Sequence, residues 1–261
     1  MSIILYPKRS NGKPCSGAQL NRGHNLAANL VGCWLFNEQG GALYDLVGGG
    51  DAYLTGSYSR VASPDNSAVL FDGSSGIASI PRHSPFIFGV KDFTLEVIFI
   101  SQSTATGSWI AKDGPSSRGW LFRTAGSAVS FTPILGGTSL TGIAALSAGK
   151  RYHVVVTRTS SGLTSYINGK FDKFQSGGAT DFTAATADLT IGGNANLDSY
   201  VNSSISLARV WNGRALRPSE ISQLYSDPYC LVQPQSPQDR YWQSVTITPR
   251  KFFLLTNVRR P

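Results

Sequence analysis

Residues 152–174 read YHVVVTRTSSGLTSYINGKFDKF, and the fold class turns on them. Residues 152–157 and 163–167 are short runs rich in β-branched and aromatic side chains, bounded by Ser and Gly, which is the composition of strands. Asn168-Gly169 follows directly. Both residues tolerate positive φ, which a two-residue type I′ turn requires, so residues 164–167 and 170–174 are predicted to pair as an antiparallel hairpin. Outward from this hairpin the same pattern recurs at residues 30–37 (LVGCWLFN), 68–71 (AVLF), 93–100 (FTLEVIFI), 108–111, 119–123, 188–191 and 205–211. Strands at this spacing, separated by Gly, Asn, Asp and Ser, build a sandwich or a barrel. Residues 217–227 (RPSEISQLYSD) are the one stretch that reads as a helix. Pro218 suits its first position, Glu220 its positive end, and Ile221, Leu224 and Tyr225 fall on one face.

Composition agrees with an all-β chain. Of 261 residues 41% are hydrophobic, only 15% are charged and 28 are Gly. A typical globular protein has roughly 25% charged residues, so a helical bundle or coiled coil is excluded. Size permits one large core, because β-sandwiches routinely pass 200 residues as a single domain. The most apolar run, residues 93–100, carries Glu96 and falls far short of the roughly 20 residues of a membrane span. The opening MSIILYPKRS has three consecutive apolar residues where a secretory signal needs about 7–15, so synthesis in a cytoplasm is expected. Cys15, Cys33 and Cys230 form no C-x-x-C pair and read as small buried hydrophobes.

Charge is unevenly placed. The formal net charge is +8, and residues 26–230 contribute none of it. Residues 1–25 hold Lys8, Arg9, Lys13 and Arg22 and no acid. Residues 231–261 hold Arg240, Arg250, Lys251, Arg259 and Arg260 against Asp239. Three parts follow: a basic N-terminal arm (1–25), a neutral body (26–230) and a basic C-terminal arm (231–261). Both arms are expected to be extended and to anchor on an acidic partner. Trp242, Phe252 and Phe253 add apolar grip to the second arm. Its interleaved cations and aromatics also suit stacking on single-stranded nucleic acid. An extended strand that adds to a partner's sheet edge is the stronger reading, so nucleic acid is not the expected partner.

Taken together, LVGCWLFNEQGGALYDLVGGG (30–50), AVLFDGSSGIASIP (68–81), DFTLEVIFI (92–100), GKRYHVVVTRTSSGLTSYINGK (149–170), LTIGGN (189–194) and SISLARVWNGRALRPSEISQLYSDPY (204–229) resemble the laminin-G-like, concanavalin A-like jelly-roll family, in the family's order. The resemblance implies two curved antiparallel sheets with the helix tucked against one end. The lead RGHNLAANLVGCWLFNE and the ending LYSDPYCLVQP look like the variant found in virion proteins of tailed bacteriophages. It implies a noncatalytic virion component that decorates or cements the particle surface, fixed by its arms to capsid or tail subunits and homo-oligomeric there. A glycan-binding adhesin of a head or tail fibre is the alternative, and a carbohydrate-active enzyme the third reading.

Each reading names residues. Glycoside hydrolases of this superfamily set carboxylates on alternate residues of one strand, so that acid and nucleophile face one sugar. No E-x-D-x-E run occurs, and Asp92 with Glu96 is the nearest approach, so no catalytic residue is assigned. No G-x-S-x-G occurs, and His24, His83 and His153 lie in unrelated contexts, His153 as a strand residue. The family implies a structural calcium held by an acid near the first long strand and an Asp in the last. Glu38 and Asp45 match the first region, while Ser206 stands where the Asp is common, so the expected cofactor is none, with calcium at Glu38 and Asp45 as the alternative. Lectins of this fold stack sugars on exposed aromatics. Trp34 and Trp211 read as core, which leaves a binding rim of Trp109, Lys112, Asp113, Arg118 and Trp120 around the loop 111–119.

Overall fold

A computed structural model describes residues 12–81, 84–113, 119–134, 136–177, 180–183, 187–196 and 199–233. Two antiparallel sheets face each other. The seven-stranded sheet runs β11 (Leu140–Ala145), β10 (Ala128–Pro133), β9 (Trp120–Ala125), β8 (Gly107–Lys112), β15 (Leu189–Ile191), β6 (Ile77–Ile80) and β3 (Tyr53–Thr55). The eight-stranded sheet runs β14 (Lys170–Ser176), β13 (Gly162–Ile167), β12 (Arg151–Thr159), β7 (Phe93–Ser101), β16 (Asn202–Asn212), β5 (Asn66–Asp72) and β4 (Tyr58–Ser63). β2 (Leu30–Trp34) completes it by pairing with the second half of β16.

The hairpin read from residues 152–174 forms as expected. Asn168 and Gly169 take φ of 51° and 75°, and Ile167 pairs with Lys170 across the turn. The helix, α1, spans Pro218–Ser226. Arg217 stands before it, and the Glu220 carboxylate accepts the Arg217 N–H at 2.8 Å. Ile221 and Leu224 are buried as expected, whereas Tyr225 is 41% exposed and lies along the Asn168-Gly169 turn.

Period two gives each central strand an inner face. Phe93, Leu95, Val97 and Phe99 of β7 meet Trp109, Trp120, Phe122 and Phe131 from the opposite sheet in the main core. The outer face of the eight-stranded sheet is covered as well. There Ile98, Val155, Leu207 and Trp211 pack under α1, residues 229–232 and the segment from Ala18 to Leu30. That second core explains why β7, β12 and β16 read as almost continuous apolar runs. The Trp211 indole N–H is satisfied by the Leu26 carbonyl at 2.8 Å.

Covering this face draws in both ends of the body. β1 (Gln19–Leu20) pairs with β17 (Val232–Gln233), so residues 12–25 and 231–233 pack on their own sandwich. The expectation that both arms begin as free extensions is corrected there. The physical reason is apolar: Ala18, Leu231 and Val232 are buried in the second core with Leu207, Trp211 and Ile221. Residues 1–11 and 234–261 lie outside the described residues, with Lys8, Arg9, Arg240, Trp242, Arg250, Lys251, Phe252, Phe253, Arg259 and Arg260 among them.

Candidate functional site

Strand alternation overturns the expected sugar-binding rim. Trp109 of β8 and Trp120 of β9 point between the sheets and are fully buried. Trp109 packs on Phe99 with ring centroids 4.6 Å apart, and Trp120 stacks on Phe88 at 5.3 Å. Lys112 and Asp113 are buried too. Lys112 donates to the Ala187 carbonyl at 2.6 Å. The Asp113 carboxylate accepts from the side chains of Asn194 and Asn196 and from the Ala195 N–H, at 2.8–3.0 Å. These residues hold the core and fasten the 194–196 turn, whereas a loop-bracketing tryptophan had suggested exposure. Arg118 lies outside the described residues.

Glu96 is equally enclosed, on the outer face beneath α1. Its carboxylate receives Arg209 at 3.0 Å and His153 Nε2 at 2.9 Å, all with buried side chains. Burial is the largest influence and pushes its pKa up, but the Arg209 charge and the His153 hydrogen bond outweigh it and hold the carboxyl below its ordinary value. A sugar cannot reach this carboxylate. Cys33 and Cys230 are buried as expected, burial driving the Cys33 thiol up to about 11, while Cys15 is exposed.

Asp45, one of the two calcium ligands that the resemblance implies, does not fit a metal. Both oxygens of Asp45 face backbone N–H groups: Oδ1 accepts from Cys33 (2.7 Å) and Val47 (3.0 Å), and Oδ2 from Gly49 (2.5 Å) and Gly50 (3.1 Å). Donors aimed at a carboxylate leave no lone pair for a cation. Asp45 closes a turn, and among the described residues no group of three or more His, Cys, Asp or Glu gathers for a metal. Two of the expected anchoring cations bond to the body, Arg22 at its surface and Lys13 inside it. Arg22 donates to the Val47 carbonyl at 3.1 Å. Lys13 is buried, and its ammonium donates to the carbonyls of Ser67, Ser206 and Phe36 at 2.7, 2.8 and 3.4 Å. Burial pushes its pKa down to about 7, against the attraction of Asp65 and Glu38.

Accessible aromatics do occur, on the side of the sandwich where β3 and β4 are the edge strands of the two sheets. The antiparallel bridge between Leu43 and Ala52 turns those two inward. Their neighbours Tyr44 and Tyr53 therefore share the solvent face, 56% and 55% exposed. Tyr58, at the start of β4, is 40% exposed. Gly56 makes the sheet-to-sheet turn possible: its φ is 72°, and a Cβ there would lie 2.0 Å from the Ser75 carbonyl oxygen.

Beside β4, Phe36, Glu38, Gln39, Arg60, Asn66 and Ser67 border a cleft of about 240 Å³. Arg60 braces it by donating to the carbonyls of Glu38 and Gly41. Glu38 Oε1 accepts the Tyr44 N–H at 2.8 Å, which ties the cleft to the tyrosine face. Its other oxygen, Oε2, is buried and has no hydrogen-bond partner among the described residues. The cleft is smaller than the roughly 300–1,000 Å³ of a drug-sized pocket, so it suits one ring of a longer surface ligand. Attention to tryptophan passed over this site. The apolar-aromatic steps Leu43-Tyr44 and Ala52-Tyr53 were its available signal.

A family model described as the concanavalin A-like lectin/glucanases superfamily matches residues 72–222. A search of curated proteins finds no match. Among solved structures, domain 4 of AbnA, an extracellular GH43 arabinanase from Geobacillus stearothermophilus solved in complex with arabinotriose, is 17% identical with a TM-score of 0.62. That match covers 76% of this chain and 98% of the other. The binding domain of Paraclostridial Mosquitocidal Protein 1 is 16% identical with a TM-score of 0.60, over 79% of this chain and 54% of that one. Trypanosoma rangeli sialidase is 20% identical with a TM-score of 0.57, over 80% of this chain and only 34% of its own. Identities this low speak for the fold.

Proposed function

The chain belongs to the concanavalin A-like lectin/glucanase superfamily, and from that premise we propose that it is a noncatalytic glycan-binding module whose sugar-facing surface is the Tyr44, Tyr53 and Tyr58 edge. One observation carries the reading. Three tyrosines are exposed on or beside β3 and β4, and β4 also lines the polar cleft that Glu38, Gln39 and Asn66 border. Aromatic faces stack on the C–H faces of sugar rings, and polar groups beside them select the hydroxyls. The Gln39 and Asn66 amides that border the cleft offer both donors and acceptors to hydroxyls. The arabinotriose bound by the AbnA domain supports a glycan as the ligand class. The noncatalytic part rests on the burial of Glu96 under α1.

The test is glycan-array and calorimetric binding by the full chain. Tyr44→Ala and Tyr53→Ala are expected to weaken the best glycan about five- to tenfold each while leaving the melting temperature within about 2 °C, since a contact with one aromatic face is worth on the order of 1–1.5 kcal/mol. Unchanged affinity in both variants would move the site elsewhere.

Charge favours a second role in the same molecule. The +8 lies entirely outside residues 26–230, and Lys13 and Arg22 are already spent on the body. We read the remaining cations, Lys8 and Arg9 with Arg240, Arg250, Lys251, Arg259 and Arg260, as anchors to an acidic assembly, a phage particle surface being the one the sequence resemblance suggests. A chain ending at Gln233 keeps β17. It is expected to fold and bind glycan like the full chain but to fail to incorporate into particles. Incorporation at full occupancy would refute anchoring by the C-terminal segment.

A further inference from the structure

An edge strand presents a row of unpaired N–H and C=O groups, and native folds shorten, bend, charge or cover it. Four strands end the two large sheets. β14 and β11 are blunted against each other. β14 is bulged at Asp172, which stands unpaired between Phe171 and Lys173, and the register of β11 shifts opposite Ala128 and Ser130. The Asp172 carboxylate accepts the N–H groups of Ile143 and Ala144 at 3.1 and 2.9 Å and so joins the two edges. β3 is only three residues long.

β4 has none of these devices. Its six residues, YSRVAS, pair with β5 in unbroken register, from Tyr58 opposite Phe71 to Ser63 opposite Asn66. It carries no Pro and no Lys, and its one charge, Arg60, is drawn aside to the carbonyls of Glu38 and Gly41. Every second N–H and C=O along it faces away from β5, and among the described residues no main chain meets them.

The N-terminal segment comes close to this edge. Lys13 donates to the Ser67 carbonyl at 2.7 Å, and Ser67 is the partner of Ala62 across the ladder between β4 and β5. Asn37 holds the next residue by donating to the Pro14 carbonyl at 2.9 Å. Counting back from Lys13, the chain stands one strand in from the open edge. Crossing from β5 to a position beyond β4 takes two strand spacings, about 10 Å. The six residues between Tyr6 and Lys13 can span about 20 Å. Residues 2–6 read SIILY, rich in the β-branched and aromatic types that suit a strand, and Pro7, with no N–H to give a ladder, marks where such a strand stops.

We propose that β4 is a strand-addition edge and that residues 2–6 of the same chain are its occupant, paired with residues 58–63 through main-chain hydrogen bonds. The cleft bordered by Arg60, Val61 and Ala62 leaves room for side chains beside the added strand. The N-terminus thereby closes an edge that the sandwich leaves open.

Amide hydrogen exchange of the full chain, followed residue by residue by NMR at two protein concentrations, tests this. The comparison is Ile4→Pro/Leu5→Pro. Adjacent N–H groups of a strand point to opposite sides, so the two prolines remove a ladder donor in either register. The outward amides of residues 58–63 are expected to exchange at least about tenfold faster in the variant than in the wild type, the effect of two main-chain hydrogen bonds at their usual net strength. The amides of β7, at the centre of the same sheet, should exchange alike in both proteins and report an intact sandwich. Equal exchange at β4 in the two proteins would overturn the proposal. So would protection that rises with protein concentration, which would make a second copy the occupant.

Discussion

Replacing Arg209 with Met isolates what the buried charge cluster contributes. The guanidinium donates to Glu96 at 3.0 and 3.3 Å and to the Pro228 carbonyl. Both partners of the ion pair are fully buried, so no solvent screening softens the loss. Met fills similar volume but leaves the Glu96 carboxylate with His153 as its remaining side-chain partner. Breaking a buried pair from one side costs about 3–5 kcal/mol. In a domain of this size that lowers the melting temperature by about 6–20 °C.

The pH dependence has a definite sign. In the wild type the folded Glu96 pKa lies below its ordinary value, so the stability it contributes is present above pH 4.5 and is lost as pH falls through the folded pKa. In Arg209→Met burial dominates and raises that pKa, so the variant gains relative stability as pH falls. The gap between the two proteins is therefore widest near pH 7 and narrows toward pH 4. Urea unfolding at several pH values measures it, and Glu96→Leu combined with Arg209→Met should cost less than Arg209→Met alone. A single variant within about 1 kcal/mol of wild type, or a gap that widens on acidification, would refute the account.

Trp120→Ala removes a fully buried ring and should cost about 3–5 kcal/mol, read as lower melting; full stability with lost glycan binding would restore Trp120 to a binding role. Gly169→Ala forces a side chain into φ 75° with its Cβ 2.9 Å from that of Tyr225. It should cost about 1–3 kcal/mol, seen in urea melts, and a neutral result would mean the turn relaxes without cost.

Some of this molecule was legible in the sequence. Asn168-Gly169 specified its hairpin because turn chemistry is local: two residues that accept positive φ fix the pairing of their flanks. Pro218, Glu220, Ile221 and Leu224 specified α1 for the same reason, and the strand runs marked an all-β body. Alternation could not say which face was covered. Trp109 and Trp120 flank a polar loop yet point inward, because their strands lie with the main core on one side. Tyr44 and Tyr53 are exposed because their strand segments lie at an edge, and an edge exists only once both sheets are assembled. Lys13 shows the difference most sharply. By sequence it is one of four cations in a basic terminus, destined for solvent or a partner. Its three acceptors lie 23, 54 and 193 residues away along the chain, and the last of them sits at the bulge of β16. A side chain's charge is written in the sequence, but whether water or protein solvates that charge depends on groups that tertiary folding alone brings together.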